Sequence, residues 1–276
     1  MNGFVFAAVL IVALGNTQFC LADDWTPPEN PVPKDILEEA RKDAKAHRYQ
    51  FALSKHQWLV DNALEYQPLL KGLRVNALDE WHKLATVYEP AHKALLEKRD
   101  QSRELVSTSD DVVEAFLIMA TINDKLKEPA LTVRVFHEVE EKSPDQVRQI
   151  FGIARAALTK QGDYKTVSQY LDDPVKDVER QFEGHEKLLE FSNSPQIQGH
   201  PLAALWIETG NRTANQILIR NVATLVAILS VNDRREEAEL VVKTTRERYP
   251  HFSGLHLALD NALNGEFPKK EPPSNH

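Results

Sequence analysis

The chain has 276 residues, 42% hydrophobic and 27% charged, with 33 Lys and Arg against 41 Asp and Glu. That balance belongs to a globular protein and excludes a disordered, collagenous or multi-spanning membrane chain. A net charge of −8 argues against a nucleic-acid partner, whose phosphates reward a basic face.

The first element is an uncharged apolar run from Phe4 to Leu14 (FVFAAVLIVAL). A membrane span wants about 20 apolar residues, so this run better fits the h-region of a signal peptide. Cys20-Leu21-Ala22 puts small residues where signal peptidase needs them, which predicts a signal over 1–22 and a mature start at Asp23. The n-region MNGF lacks Lys and Arg, and an uncleaved anchor is the alternative. Bulky Phe19 before Cys20 disfavours acylation of that cysteine. With 1–22 removed, the mature chain holds no cysteine, and disulfide and thiolate chemistry leave together. The expected location is outside the cytoplasm, periplasmic or secreted. Membrane contact would run only through a retained signal segment.

Residues 23–33 (DDWTPPENPVP) form a proline-rich lead-in that cannot be regular helix. Trp25 within it is suited to dock on the folded body or on a partner. From 34 to 263, apolar residues recur at three- and four-residue spacing, as in Ile36, Leu37, Ala40, Ala44 and Val112, Ala115, Phe116, Met119. Strand alternation is absent there, and Gly72, Pro90, Pro129, Pro144, Gly162, Pro174, Pro195, Gly210 and Pro250 punctuate the pattern. The prediction is an all-α region of many short helices. Residues 264–276 read as a flexible polar tail.

A small residue recurs about three positions after a turn-like or aromatic one, at Ala52, Ala91, Ala130, Val167 and Ala238. The spacings are 39, 39, 37 and 71, the last leaving room for a degenerate unit around Ala203. Lys160-Gln-Gly-Asp-Tyr164, the segment Ala44 to Ala52 with His47 at a usual glycine position, and Leu225, Val226, Ala238 and Pro250 together resemble the tetratricopeptide repeat (TPR) family. The opening stretch is similar to that of exported bacterial TPR proteins of unassigned role. The resemblance implies a solenoid of antiparallel helix pairs over 34–263, with an irregular helical bundle as the alternative. In such a pair a small residue lets the two axes approach, and a leucine there would overpack the contact at about 1–3 kcal/mol. Neighbouring pairs must then stack to bury their remaining faces.

Enzyme signatures are missing. Thr209-Gly210-Asn211-Arg212 has no phosphate-loop Gly-Lys, and neither a Gly-x-Ser-x-Gly elbow nor a His-Glu-x-x-His motif occurs. His82, His137 and His185 lack a second His at helical spacing, and His251 and His256 sit five apart beside a proline. No cofactor or metal is expected. Asp110-Asp111 and Asp172-Asp173 suit helix N-termini better than an acid–base dyad.

The TPR resemblance implies a groove lined by Arg41, Lys45, Asn76, Glu80, Lys83, Asn123, Gln149 and Lys160, of mixed sign, for a protein or peptide. The two-carboxylate clamp of chaperone-binding relatives is not reproduced, because Leu37 and Arg41 occupy its early positions. The expectation is therefore a non-catalytic exported scaffold for protein–protein or protein–peptide interaction. Two alternatives stand beside it. One is a cell-envelope glycan-lytic enzyme on a superhelical support, which would need a catalytic domain after Asn261. The other is a structural subunit of a membrane-associated assembly.

Overall fold

A computed structural model describes residues 25–66, 71–108 and 111–269. The expected signal segment and its cleavage site lie outside the described residues. The protein is all-α, with no strand among the described residues. The expected single region 34–263 is divided into two compact units, the division falling inside one helix between Leu95 and Leu96.

Unit 1 contains α1 (Pro33–Lys45), α2 (Tyr49–Tyr66), α3 (Lys71–Ala85) and the first turns of α4 (Glu89–Thr108). Its centre holds Ile36, Leu37, Leu59, Leu78, Leu95 and Trp81, all nearly without exposure. Unit 2 holds the rest of α4, then α5 (Val112–Lys125), α6 (Pro129–Lys142), α7 (Pro144–Gln161), α8 (Tyr164–Gln169), α9 (Pro174–Ser192), α10 (Pro195–Gln198), α11 (Ala203–Val231), α12 (Arg235–Arg248) and α13 (Ser253–Leu263). One apolar cluster gathers Phe116, Phe136, Ile150 and Leu158; another gathers Phe182, Val222, Val226, Val241 and Leu259.

The prolines that punctuate the sequence start helices as much as they end them. Pro33, Pro129, Pro144, Pro174 and Pro195 take the first positions of α1, α6, α7, α9 and α10, where the missing N–H is not needed. Asp111, Asp163 and Asp173 cap α5, α8 and α9, accepting from the backbone N–H of Glu114, Thr166 and Lys176 at 3.2, 3.3 and 2.9 Å.

Four of the turns between consecutive helices share one geometry. A residue in the left-handed region (His47, Lys127, Gly162 or Asp233, φ 59–78°) is followed by a backbone N–H that reaches back five residues. These bonds are Arg48 to Asp43, Glu128 to Asn123, Asp163 to Leu158 and Arg234 to Leu229, at 2.8–3.0 Å. Gly265 (φ 82°) and the Glu266-to-Asn261 bond repeat the pattern after α13. Five residues past each left-handed position a buried side chain enters the next helix: Ala52, Thr132, Val167 and Ala238. Ala130 was expected in this role and is instead exposed. Pro129 opens α6 directly after the turn, so Ala130 sits on the open end of the first turn. Thr132 faces α5 and accepts from Asn123 Nδ2 at 3.1 Å.

Around Ala203 the expected short helix pair is replaced by the start of α11, which runs 29 residues and packs on α9, α12 and α13. By length and composition α11 could cross a membrane; half of its apolar window is buried inside the protein, as in a core helix. The expected tail begins later than residue 264, because Phe267 stacks on Tyr164 with ring centroids 4.0 Å apart.

Gly210 lies where α11 crosses the end of α9. A Cβ there would meet Ser192 Oγ at 2.3 Å and its Cβ at 2.9 Å. Overpacking costs about 1–3 kcal/mol, partly offset by roughly 1 kcal/mol of helix propensity. Gly210→Ala is therefore expected to lower the thermal midpoint, and adding Ser192→Gly to restore it. Equal midpoints for wild type and single variant would contradict this crossing.

Candidate functional site

In unit 1 the structure brings three of the expected groove residues together. Arg41 on α1 and Lys83 on α3 both reach Glu80 Oε1, at 3.4 and 3.1 Å, and Arg41 also bonds Glu38. Glu80 holds the exposed Lys83 ammonium above the usual lysine range. Lys45 lies one turn beyond Arg41 and Asn76 one turn before Glu80, both exposed. Beneath them His56 is 1% exposed. Burial pushes this imidazole down to about 4, against the pull of nearby Glu80. Arg41 and Lys83 are thus already paired with carboxylates of the same unit. Pairs of this kind contribute only about 0–1 kcal/mol, so a charged ligand can exchange into them.

Beside this face lies a feature with no signal in sequence beyond its tryptophan. Trp25 packs edge-on against Trp58 at 6.2 Å, and Lys55 Nζ sits 5.6 Å from its ring. Lys55 in turn bonds the buried Asp43 at 2.6 Å, and Arg48 bonds the other oxygen of the same carboxylate. Trp25 therefore docks on its own chain.

The three groove residues expected in unit 2 are not brought together. Gln149 is exposed on α7, about 16 Å along the helix from Lys160. Lys160 pairs with Asp124 at the end of α5. Asn123 was expected as an exposed groove residue and is 1% exposed instead. The α5–α6 turn carries it inward, where its amide nitrogen bonds Thr132 and its Oδ1 has no partner.

Asn123 is one of the residues that line a cleft of about 590 Å³, within the usual range for a ligand site. One stripe from each of three helices lines it. Arg99, Arg103, Glu104 and Ser107 come from α4, Met119 and Asn123 from α5, and Leu131, Arg134, Val135 and Glu138 from α6. Arg99, 17% exposed, is held by Asp100 and Glu128 at 2.8 and 2.9 Å. Arg103 makes a looser contact with Glu138 at 3.3 Å. Arg134 is exposed and has no polar partner among the described residues. Sequence reasoning reached Asn123 and missed the arginines, of which Arg99 and Arg103 stand four apart on α4 and Arg134 stands alone on α6.

A second polar group ties α6 to the α7–α8 turn. His137 contacts Glu140 at 2.7 Å and Asp163 at 2.8 Å, and Tyr170 donates to Glu140 at 2.7 Å. Burial pulls the His137 imidazole down, but the two carboxylates outweigh it and the net direction is up. Burial and then Glu140 push the Tyr170 phenol up to about 12. A raised imidazole stabilises fully below its unfolded value of about 6.5, and the contribution is lost as pH rises through the folded value. His137→Gln is therefore expected to cost more at pH 5.5 than at pH 8.5, measured by urea unfolding. With the side chain 37% exposed, solvent screening limits the difference to roughly 0.5–1 kcal/mol. A pH-independent difference would show that the imidazole acts only by packing.

Among the described residues no group of three or more His, Cys, Asp or Glu is placed to hold a metal ion. No protein-family model, curated protein or solved structure matches the chain.

Proposed function

We propose that the chain is a non-catalytic helical-repeat scaffold of the TPR type, exported to the periplasm or secreted, that binds another protein or a peptide. The recurring turn geometry, with a small or short buried side chain at a fixed distance beyond it, supports the repeat. The cleft between α4, α5 and α6 is the observation that carries the binding role. It combines the apolar side chains of Met119, Leu131 and Val135 with an arginine, Arg134, that has no polar partner among the described residues.

Two disruptions separate this cleft from the unit 1 face. One variant carries Leu131→Glu and Arg134→Glu; the other carries Arg41→Glu, Lys45→Glu and Lys83→Glu. Affinity purification with each, beside wild type, is expected to show partners lost by the first and kept by the second. Identical partner lists for wild type and the cleft variant would refute the role assigned to the cleft. Amino-terminal sequencing of the exported chain tests cleavage after Ala22.

A further inference from the structure

We infer that a second copy of this chain docks on an apolar patch of unit 2, where α11 crosses the end of α9, to form a twofold dimer. The patch is separate from the cleft between α4, α5 and α6. Phe191 is 69% exposed, Leu205 56%, Leu202 52%, Trp206 41% and Leu188 40%. Phe191, Leu205 and Trp206 line one hollow of about 570 Å³ together with Ile197. Leu188 lies three residues before Phe191, and Leu202 three before Leu205, so both extend the same helix faces.

The open area is enough for a specific contact. With roughly 200 Å² for each of these side chains when free, the fractions above leave about 500 Å² of apolar surface in water. A patch of that size on a single chain is often functional. Two copies would cover about 1,000 Å² before any polar rim is counted, which reaches the lower bound for a biological interface.

Charge points to a second copy as the occupant. Residues 194–207 contain no Asp, Glu, Lys or Arg, a depletion typical of interface centres. Beside the patch stand Lys187, Glu190, Glu208 and Arg212, none with a polar partner among the described residues. Two of each sign suit a surface that meets its own copy, whereas an anionic lipid surface rewards an excess of cations. The net charge of −8 on each copy opposes association. Salt confines that repulsion to about 8 Å at physiological ionic strength.

Helix spacing supplies the register. Leu205, Trp206, Thr209 and Arg212 recur at three- and four-residue intervals on α11, and all are exposed. Trp206 and Arg212 stand three residues either side of Thr209. Antiparallel pairing of two α11 helices about Thr209 therefore brings each Arg212 level with the second copy's Trp206. His200 stacks on one face of that indole at 3.8 Å, and the guanidinium takes the other.

An interface of this size is expected to give a monomer–dimer Kd of about 1–50 µM, read by sedimentation velocity of the full chain. Leu205→Glu and, separately, Trp206→Ala should each weaken association at least tenfold. Both should keep the thermal midpoint, because these side chains are exposed in a single copy. Arg212→Ala should weaken it about threefold. Thr209→Cys should give a disulfide-linked dimer under mild oxidation, and adding Leu205→Glu should abolish that product. Leu131→Glu with Arg134→Glu should leave association unchanged, which separates this result from the role assigned to the α4–α6 cleft. A chain that stays monomeric at about tenfold above that range, or a dimer that neither patch variant weakens, overturns the proposal. So does a monomer that floats with phosphatidylcholine vesicles and loses them on Trp206→Ala, since the patch then belongs to lipid. A dimer without the Thr209→Cys crosslink overturns the antiparallel register.

Discussion

Replacing Trp81 with alanine is expected to cost unit 1 about 3–5 kcal/mol, as for other fully buried aromatic side chains. Trp81 is 1% exposed, and its indole nitrogen donates to the carbonyl of Ala91 at 2.9 Å. That one side chain therefore fills the interior from α3 and ties it to the first turn of α4. Ala91, with no exposure at all, lets α4 come close enough for the bond to form. Trp81→Phe keeps most of the ring volume and gives up the hydrogen bond, so its loss should be much smaller. Urea unfolding followed by far-ultraviolet circular dichroism measures both without relying on the tryptophan that is removed. A midpoint for Trp81→Ala equal to wild type would mean that the ring does not support the core of this unit.

The second large effect is expected at Lys55. Its ammonium and the Asp43 carboxylate are 8% and 6% exposed and 2.6 Å apart. Removing one member of a buried pair typically costs about 3–5 kcal/mol, because the other charge stays behind without its partner. Lys55→Met should fall near the lower end, since Arg48 still bonds Asp43. Adding Asp43→Asn to Lys55→Met should recover at least half of the loss. The acid limb provides an independent check. Burial pushes the Asp43 carboxyl up, but the hydrogen bonds and charges of Lys55 and Arg48 outweigh it and the net direction is down. A depressed carboxyl contributes stability above its unfolded value, about 3.9, and loses it as pH falls through the folded value. The stability of wild type should therefore drop more steeply below pH 4 than that of Asp43→Asn. Parallel acid limbs would refute a role for this ion pair.

The helical character of the chain was legible because apolar residues such as Val112, Ala115, Phe116 and Met119 keep helical spacing whatever they pack against. Helix starts were legible for the same local reason. Asp111 and Asp173 satisfy N–H groups within their own helix, so no distant partner is required to place them. The turns were only half visible. Gly162 announces a left-handed backbone, but His47, Lys127 and Asp233 adopt the same conformation without a glycine to mark it. Their geometry is fixed by the backbone bond back to the preceding helix, which leaves little trace in residue type. Hence the register slipped at Ala130, where Thr132 takes the buried place.

The candidate site was less legible still. Arg99 and Arg103 on one helix, and Arg134 and Glu138 on another, read as ordinary solvated stripes. A charged stripe looks the same in sequence whether it faces water or another helix across a cleft. Asn123 was reached through the repeat pattern, yet its burial and its unpaired oxygen depend on where Thr132 falls. The Asp43–Lys55 pair spans twelve residues and two helices, beyond any local pattern. The division of the chain inside α4 has no marker either, since neither proline nor glycine interrupts the helix between Pro90 and Thr108.

The seating of Trp25 has an optical consequence. Two indoles held edge-on at 6.2 Å, one of them near an ammonium, form a pair of chromophores in a fixed orientation. Their transitions couple, and the neighbouring charge tunes the emission of the nearer ring. The protein thus contains a label-free spectroscopic reporter at the start of its described fold. Near-ultraviolet dichroism can follow the undocking of the lead-in separately from the melting of the helices behind it.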